Sequence, residues 1–304
     1  MAFAPKNLVV VTDNTMGIPG GEIDDGLALL YLLGCPERAH VEALCATHGN
    51  DTTERTYGAL CGLVRELGLE DVPVLRGAAA GDASTSDAAR EIVRRAQEAP
   101  GGVTLVSLGA TTDLAAAERL APGTLARYES VCLMGGVTKP LVFGGRIMDE
   151  LNLSVDARAT YEVLASTRSG AHLRIADAHD CLPLTFDAPE FLLRLARADM
   201  PGAGLLRRLC APWFEKAHAD WGIQGFVGWD VLAAVAAATP ELVDFVPFHL
   251  ALYERFFRAG LLFEVPPTDD VPSVDVELVR IRDGKILAEH VYRTWHRALE
   301  EHFG

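Results

Sequence analysis

The segment VVVTDNTMGIPGGEIDDGLALLYLLG, residues 9–34, decides the fold. Its apolar start over residues 7–12 predicts a buried strand, and the helical spacing of apolar residues over 24–34 predicts a helix that ends at a glycine. Between the strand and the first helical turn the segment places three carboxylates, those of Asp13, Asp24 and Asp25. A buried strand that leads through a polar loop into a helix is the first unit of a parallel α/β sheet.

The alternation of strand and helix continues through the first two thirds of the chain. Further strands are predicted at 41–47, 72–75, 102–109, 130–136 and 172–177. Helices are predicted at 52–68, 86–98, 112–120 and 156–166. Parallel strands need crossover connections, which are right-handed and pack on the sheet. We therefore expect an α/β protein with one doubly wound, Rossmann-like domain over residues 1–304, in which helices cover both faces of a mostly parallel sheet.

The last third of the sequence has a different pattern. Residues 187–240 have mostly helical spacing and include an aromatic, glycine-containing stretch, 213–226, which we interpret as a candidate mobile flap. Strands are predicted at 245–256 and 273–287, with RDGK as a hairpin turn, and a final helix is predicted at 293–302. No repeat or linker marks a second domain.

The composition limits the possible classes of function. Of the 304 residues, 49% are hydrophobic and 23% are charged, as in ordinary proteins with a large core, and no apolar run is long enough to span a membrane. The start of the sequence lacks a secretory signal and the six cysteines form no metal-binding pattern, so we expect reduced, buried cysteines and a cytoplasmic protein. The net charge of −15 argues against nucleic-acid partners and favours a small-molecule substrate.

Polar side chains follow the predicted strands, at the edge where parallel α/β sheets bind ligands. They include Asp13, Asp24, Asp25, Asn50, Asp51, Glu150, Asn152 and Asp230. Carboxylates that meet at one edge repel each other unless a cation binds. An all-oxygen ligand set selects a hard ion, and backbone carbonyls in that set favour Ca²⁺ over Mg²⁺. The alternative is structural, because Asp24, Asp25 and Asp230 each stand at a helix start and qualify as N-caps.

These residues stand in motifs that resemble the inosine-uridine-preferring nucleoside hydrolase family. The family signature, a DxD strand end followed by IDDALAL, stands here as VTDN followed by IDDGLAL. The segments ATHGN, LVSLGATTDLA, LMGG, ELNLSVDARAT and GWDVLAAV follow in the order of the family. The resemblance covers nearly the whole chain. It implies the nucleoside hydrolase fold, hydrolysis of ribonucleosides to ribose and free base, and assembly as a homodimer or homotetramer.

The resemblance also implies roles for individual residues. The implied Ca²⁺ ligands are Asp13, Asp25, the backbone carbonyl of Leu108, and Asp230. The implied contacts to ribose are Asp24, Asn50, Met134, Glu150 and Asn152. Asp13 would also be the general base. These residue types suit the reaction, because cleavage passes through an oxocarbenium-like state that carboxylates stabilise, and a cation orients the ribose diol and makes water easier to deprotonate.

The sequence departs from the family pattern in three places. The insertion NTMGIPGGE lengthens the signature between Asp13 and Asp24, and Val11 replaces the first Asp of the DxD. A shifted register would put Thr15 in the position of the base, and we prefer Asp13 because it directly follows the strand. The Asn that usually precedes the ELN segment falls near Gly144, so one contact to the 5′ side is lost.

The residue before the late Asp bears on the choice of base. Inosine-uridine-type members have His there, whereas this chain has Trp229, like purine-specific members that stack the base on a Trp. An Asp directly after the Asn, here Asp51, is a further feature that resembles purine-specific members, and it would accept a hydrogen bond from the base. Purine-specific members have a second stacking aromatic that is missing at 77–85, and its candidate replacements are Trp213, Trp221 and Phe226. The alternative for Trp229 is a packed core residue.

Several residues and functions stay open at this point. His48 and His218 are spare candidates for the leaving-group acid. Lys139 and Arg146 either recognise a charged 5′ group or, as we prefer, are solvated surface cations. The alternative functions are a phosphohydrolase with an Asp nucleophile, a non-catalytic nucleoside binder and a hydrolase of an unusual N-riboside.

Overall fold

Strand β1, Lys6–Thr12, is buried on both of its faces. The computed structural model describes residues 5–81, 84–143, 145–268 and 270–304. Leu8 and Val10 pack into one hydrophobic core, and Val9 and Val11 pack into a second core. Because successive side chains of a strand point to opposite faces, the two cores lie on opposite sides of the sheet. This burial is typical of a central strand in a parallel sheet.

The main sheet has eight strands, and β1 lies inside it. The other strands are β2 Ala39–Ala46, β3 Val74–Arg76, β4 Val103–Ser107, β5 Ser130–Met134, β6 Leu141–Phe143, β7 Arg146–Met148, β8 Leu173–Ala176, β9 Thr185–Asp187, β10 Gly225–Val227, β11 Val243–Ala251 and β12 Ser273–Ile281. The order in the main sheet is β11-β12-β8-β5-β4-β1-β2-β3, and only the β11–β12 pair is antiparallel. Since the chain leaves β1 for β2 on one side and later returns to β4 on the other, the gap between β1 and β4 is the topological switch point.

Helices cover both faces of this sheet. They are α1 Asp24–Leu33, α2 Thr53–Glu66, α3 Asp87–Glu98, α4 Thr112–Leu120, α5 Ala157–Ala165, α6 Ala178–Cys181, α7 Ala188–Leu195, α8 Ala203–Trp221, α9 Trp229–Ala238, α10 Glu254–Phe257 and α11 Gly284–Phe303. Helices α1, α2, α8, α9 and α11 pack in the core of Leu8 and Val10, whereas α3, α4 and α5 pack in the core of Val9 and Val11. The predicted doubly wound α/β fold is therefore confirmed.

The predicted hairpin at RDGK is wrong. Strand β12 ends at Ile281, and Asp283 is the N-cap of α11, where its Oδ1 accepts hydrogen bonds from the backbone N–H groups of Lys285 at 2.9 Å and Ile286 at 3.0 Å. The final helix therefore begins about nine residues earlier than residue 293. Asp-Gly is typical of both a tight turn and a helix start. Here the helical spacing of the apolar residues that follow decides the outcome.

The other differences from the predicted elements lie between residues 141 and 257. Strand β10 interrupts the helical region and pairs with β9, and the antiparallel pair of β6 and β7 had no signal in the sequence. The candidate flap, 213–226, lies in the second half of α8 and in β10, with Trp213 buried. Strand β11 ends at Ala251 and is followed by the short helix α10.

Two expectations from composition concern membrane-spanning segments and cysteines. No helix among them is long and apolar enough to cross a membrane. All six cysteines are free thiols, five of them buried, and Cys61 is half-buried.

The N-cap of α11 gives a direct test of the corrected C-terminal region. Because Ala cannot accept the two backbone hydrogen bonds, Asp283→Ala should lower the free energy of unfolding by about 1 kcal/mol. Chemical denaturation monitored by circular dichroism measures this, with Asp71→Ala, at an exposed turn position, as the control. An unchanged midpoint for Asp283→Ala would contradict the cap.

Candidate active site

The carboxyl ends of β1 and β4 form the floor of the site. The two strands are parallel, with Val11 opposite Ser107, and the N–H of Leu108 donates to the carbonyl of Val11 at 2.8 Å. Asp13 follows β1 and Leu108 follows β4, so both lie at the switch point. A crevice opens there because the connections from the two strands run in opposite directions.

Asp13 is fully buried at this edge. Its Oδ2 accepts the backbone N–H of Asn50 at 2.6 Å, while its Oδ1 is buried and has no hydrogen-bond partner among the described residues. The carboxylate fits closely between two glycines. A Cβ at Gly49 would collide with Oδ2, and one at Gly109 would lie 2.8 Å from Oδ1. The backbone thus surrounds Asp13 but leaves one oxygen available for a ligand.

Two helices begin beside Asp13 and bring three more carboxylates to the site. The N-cap of α1 is Ile23 and that of α9 is Gly228, and neither has a side-chain capping bond. The interpretation of Asp24, Asp25 and Asp230 as N-caps is therefore wrong. All three lie in first helical turns, are buried, and have carboxylate oxygens within 4.8 Å of one another. The positive ends of both helix dipoles face this group and stabilise negative charge there.

Burial raises the pKa of all four carboxyl groups, and repulsion from neighbouring carboxylates adds to the effect for Asp13, Asp25 and Asp230. Burial, opposed in part by the Asn50 N–H, raises the pKa of Asp13 to about 8, and burial raises that of Asp24 to about 6. The pKa of Asp25 lies well above its usual range because of burial and the charges of Asp13 and Asp24. Burial and the charges of the neighbouring carboxylates also raise the pKa of Asp230 well above its usual range. Without a cation, the folded protein therefore holds protons here at neutral pH.

These groups fit a hard divalent cation. The donors are carboxylate and carbonyl oxygens, with neither Cys nor His among them, and the unpartnered Oδ1 of Asp13 adds an available acceptor. The hydroxyl of Thr12 donates to Oδ1 of Asp25, and the Asn50 amide lies 3.4 Å from the Oδ2 of Asp25. The Leu108 carbonyl accepts from the Asn152 amide at 2.8 Å, which leaves a second lone pair on that oxygen.

Above the carboxylates lies an open cavity, with about 600 Å³ of empty space when the solvent at its mouth is included. The predicted site residues that line it are Asp24, Asn50, Leu108, Met134, Glu150, Asn152, Trp229 and Asp230. Asp13, Asp25 and Asp51 are not among its lining residues. The structure therefore brings most of the predicted substrate contacts to one cavity, with Asp13 and Asp25 buried at the sheet edge.

Glu150 and Asn152 hold the loops that form the cavity wall. The Glu150 carboxylate accepts the backbone N–H groups of Gly136 at 3.0 Å, and of Leu153 and Ser154 at 2.8 Å each. The Asn152 amide donates to the carbonyl of Leu108 and, at 3.2 Å, to that of Met134. Both side chains thus fix the ends of β4 and β5 relative to the ELN segment.

Other predicted residues lie away from the cavity. The Asp51 carboxylate accepts the N–H of Thr52 at 2.8 Å and forms an ion pair with Arg55 at 2.7 Å. Thr15 is buried in the loop after β1, where its hydroxyl donates to the carbonyl of Glu22 at 3.3 Å. It therefore does not take the place of Asp13 at the strand end.

The two histidines and the two basic residues that sequence left open also lie outside the main cavity. His48 is buried against the hydroxyl of Thr112 at 2.9 Å, and burial lowers its pKa, whereas His218 lies on α8. The Arg146 guanidinium donates to the carbonyl of Asp220 at 2.8 Å, and Lys139 is exposed. Gly144 lies outside the described residues.

Glu22 is one of the lining residues that sequence reasoning missed, together with Leu141, Met148, Asp149, Leu151 and Ala178. It ends the insertion of the signature and lines the cavity beside Asp24. Burial and the charges of Asp24 and Asp25 raise its pKa to about 8, and a cation among those carboxylates would oppose that shift. Its only signal in the sequence was a further carboxylate close to the IDD motif.

The fold and the site define an α/β enzyme with a buried, metal-capable carboxylate cluster beneath a substrate cavity. The chain belongs to the family described as inosine-uridine preferring nucleoside hydrolase, whose model matches residues 12–298. It is thus a ribonucleoside hydrolase that acts on the N-glycosidic bond, and not the phosphohydrolase considered as an alternative. Members of this family depend on a metal, in agreement with the acidic cluster.

Known relatives cover most of the chain. Uridine nucleosidase 1 of Arabidopsis thaliana is 25% identical over 276 residues, which cover 79% of this chain and 76% of that protein. A plant nucleoside hydrolase structure has a TM-score of 0.79, with 20% identity over 97% of this chain and 99% of that one. A purine-preferring ribonucleoside hydrolase from Gardnerella vaginalis has a TM-score of 0.79, with 19% identity over 97% of this chain and 100% of that one. The latter two similarities establish the fold.

The raised pKa values predict how stability depends on pH without metal. Since the pKa of Asp13 is about 8 when folded and its usual value is 3.8, the folded state binds more protons than the unfolded state between these values. The free energy of unfolding in EGTA should therefore fall as pH rises from about 4 to 8. Thermal unfolding across this range measures it, and stability that rises towards pH 8 would contradict the prediction.

A bound cation should reverse the fall in the free energy of unfolding as pH rises. Calcium at 100 times its Kd should add about 2.7 kcal/mol to the free energy of unfolding. Asp230→Asn should raise the melting temperature in EGTA at pH 8, because it removes a buried carboxyl, and should reduce the gain from calcium. Asp71→Asn, at an exposed position, is the matched control. A variant that loses stability in EGTA and keeps the full gain from calcium would exclude Asp230 as a ligand.

Proposed function

We propose that this enzyme is a calcium-dependent hydrolase of purine ribonucleosides, which releases ribose and the free base. The observation that carries the proposal is the position of the buried carboxylates, which lie at the switch point beneath a cavity walled by Trp229. An acidic floor favours the positive charge that develops on the sugar as the glycosidic bond breaks. An aromatic wall favours a purine as the leaving group.

The cation would be held by Asp13, Asp25, the carbonyl of Leu108, and Asp230, with Asp24 next to it. When bound, calcium supplies a template for the ribose diol and Lewis-acid polarisation of water. Asp13 is the proposed general base. Its buried Oδ1 has no other partner among the described residues, so it is available to take a proton from the attacking water.

The ribose would lie between the carboxylates and the loops after β4 and β5. On one side, Asp24 accepts hydrogen bonds from the ribose hydroxyls and the Asn50 amide donates to them. On the other side, Asn152 accepts through its Oδ1, because its N–H groups donate to the carbonyls of Leu108 and Met134. Met134 packs on the sugar face. Glu150 uses its carboxylate on three backbone N–H groups, so we assign it the role of fixing the 5′ side of the pocket as well as contacting it.

The base would lie against Trp229. A flat indole in a partly buried position offers stacking to a purine over a larger area than to a pyrimidine. Asp51 is left out of the proposed base contacts, because its carboxylate is paired with Arg55. A cytoplasmic location, supported by the free thiols, and a homodimer or homotetramer, implied by the resemblance, complete the proposal.

Ribose release from five nucleosides tests the reaction. Inosine, guanosine and adenosine should be hydrolysed faster than uridine and cytidine, and the activity should disappear in EGTA and return with calcium. Faster release from uridine would contradict the purine preference. Full activity in EGTA would contradict the role of calcium.

Asp13→Asn tests the proposed base. The substitution keeps the size of the side chain but removes its ability to take a proton, so kcat should fall by a factor of about 10²–10⁴. Asp71→Asn serves as the control for expression and folding. If Asp13→Asn retained more than about a tenth of the activity with calcium bound, another group would have to be the base.

A further inference from the structure

The insertion that lengthens the signature forms an ordered loop. The N–H of Ile18 donates to the carbonyl of Thr15 and the N–H of Gly21 donates to that of Ile18, both at 2.9 Å, which makes two successive turns. Asn14 and Met16 at its start are buried. Gly20 has φ of 72°, a left-handed conformation that suits glycine. Fixed turns of this kind hold the end of the loop in one place.

The loop packs against helix α8. A Cβ on Gly20 would lie 3.0 Å from Cδ of Lys216, and one on Gly17 would lie 3.8 Å from a methyl group of Leu209. Lys216 and Leu209 both belong to α8. The insertion therefore joins the end of β1 to the helix that contains Trp213 and Trp221. Glu22, at the end of the insertion, and these two tryptophans line a second cavity.

The second cavity is open, with about 420 Å³ of empty space when the solvent at its mouth is included, and it adjoins the first. It is lined by Glu22, Ile23, Asp24, Met148, Trp213, Ala217, Trp221, Ile223, Gly225, Phe226, Val227 and Trp229. Glu22, Asp24, Met148 and Trp229 line both cavities. The wall is mostly aromatic and aliphatic, so it suits a flat, uncharged ring system that extends from the ribose pocket.

Two polar side chains of this wall are those of Glu22 and Trp213. The Glu22 carboxylate is half-buried, and the charge of Lys216 opposes the rise of its pKa. Trp213 is 9% exposed, and its Nε1–H is buried without an acceptor in the described part of the chain. A buried indole N–H is usually hydrogen-bonded, so its unsatisfied state indicates a ligand with an acceptor atom. The cavity thus offers one donor and one carboxylate with two acceptor oxygens.

A cation already occupies the outer side of the aromatic wall. The Lys216 ammonium lies 4.8 Å from the centre of the Trp221 ring and 5.7 Å from that of Trp213, and it forms an ion pair with Asp220 at 2.9 Å. Because this ammonium is paired with Asp220, the Glu22 carboxylate is the polar group of the wall that favours a base with N–H donors.

We propose that the second cavity receives the leaving base and selects a 6-oxopurine, guanine above all, with Glu22 as the residue that determines specificity. The proposal rests on the proposed function, because it assigns the base to a site beside the ribose pocket. Glu22 accepts hydrogen bonds from the N1–H and the 2-amino group of guanine. Trp213 donates its indole N–H to O6.

The arrangement of donors explains the selection. Guanine presents two adjacent N–H donors that match the two oxygens of a carboxylate, as in other bidentate pairs. Hypoxanthine has the N1–H but lacks the amino group. Adenine places a lone pair at N1 and an amino group at C6, so it opposes the carboxylate at one position and the indole N–H at the other. The expected order of kcat/KM is guanosine, then inosine, then adenosine.

Ratios of kcat/KM between substrates test this proposal with calcium present. Glu22→Gln keeps the size of the side chain but leaves only one acceptor oxygen, so the guanosine-to-inosine ratio should fall by about tenfold or more. Trp213→Phe keeps an aromatic ring but removes the indole N–H donor. It should lower the ratio of kcat/KM for inosine to that for adenosine. Glu215→Gln, at an exposed position on the same helix as Trp213, is the matched control and should leave both ratios as they are.

The outcomes separate this proposal from the proposed function. Adenosine turned over as well as guanosine by the unsubstituted enzyme, or an equal loss for all substrates in Glu22→Gln, would overturn the specificity while ribose release still supports the hydrolase. If no nucleoside released ribose, quenching of tryptophan fluorescence by free guanine and adenine would still test whether the second cavity binds the base. Stronger quenching by guanine that Glu22→Gln abolishes would support the cavity assignment, and equal or absent quenching would overturn it.

Discussion

The burial of four carboxyl groups at one edge of the sheet is the constraint on which the rest of the structure depends. Asp13 follows the central strand, and Asp24, Asp25 and Asp230 lie in the first turns of two helices whose N-termini point at the same place. Helix dipoles and backbone N–H groups offset part of the electrostatic cost, and a cation would offset the remainder. The same arrangement that disfavours the metal-free protein at neutral pH provides a negative floor for an oxocarbenium-like state.

Different parts of the chain form the two cavities above this floor. Glu150 accepts hydrogen bonds from three backbone N–H groups and so shapes the wall of the first cavity, where we propose that the ribose binds. The insertion before Glu22 packs on α8 beside the second cavity, where we propose that the base binds. In the proposed site, the residues assigned to the sugar are thus separated from those assigned to the base. A lengthened loop can change base preference in such an architecture without disturbing the carboxylates.

The sequence predicted those features that depend on local pattern and strand ends. The apolar run before Asp13 and the strand–helix alternation indicated the sheet, and the strand-end rule placed Asp13 at its edge. The Leu108 carbonyl was implied only by the family resemblance. Features that depend on contacts distant in sequence were not predictable. The Asp-Gly at residue 283 fits both a turn and a helix cap, and only its packing decides between them. Glu22 had no family position to compare with, and the unpartnered N–H of Trp213 appears only when α8 is folded.

The central claim is that a calcium ion is held by the buried carboxylates at the switch point between β1 and β4. A crystal structure of the protein grown with calcium, with anomalous diffraction data to locate the ion, tests it most directly. We expect one ion at oxygen distances of about 2.3–2.6 Å from Asp13, Asp25, Asp230 and the carbonyl of Leu108. Calcium bound only at surface carboxylates, with the buried carboxyl groups contacting one another and no ion between them, would contradict the account.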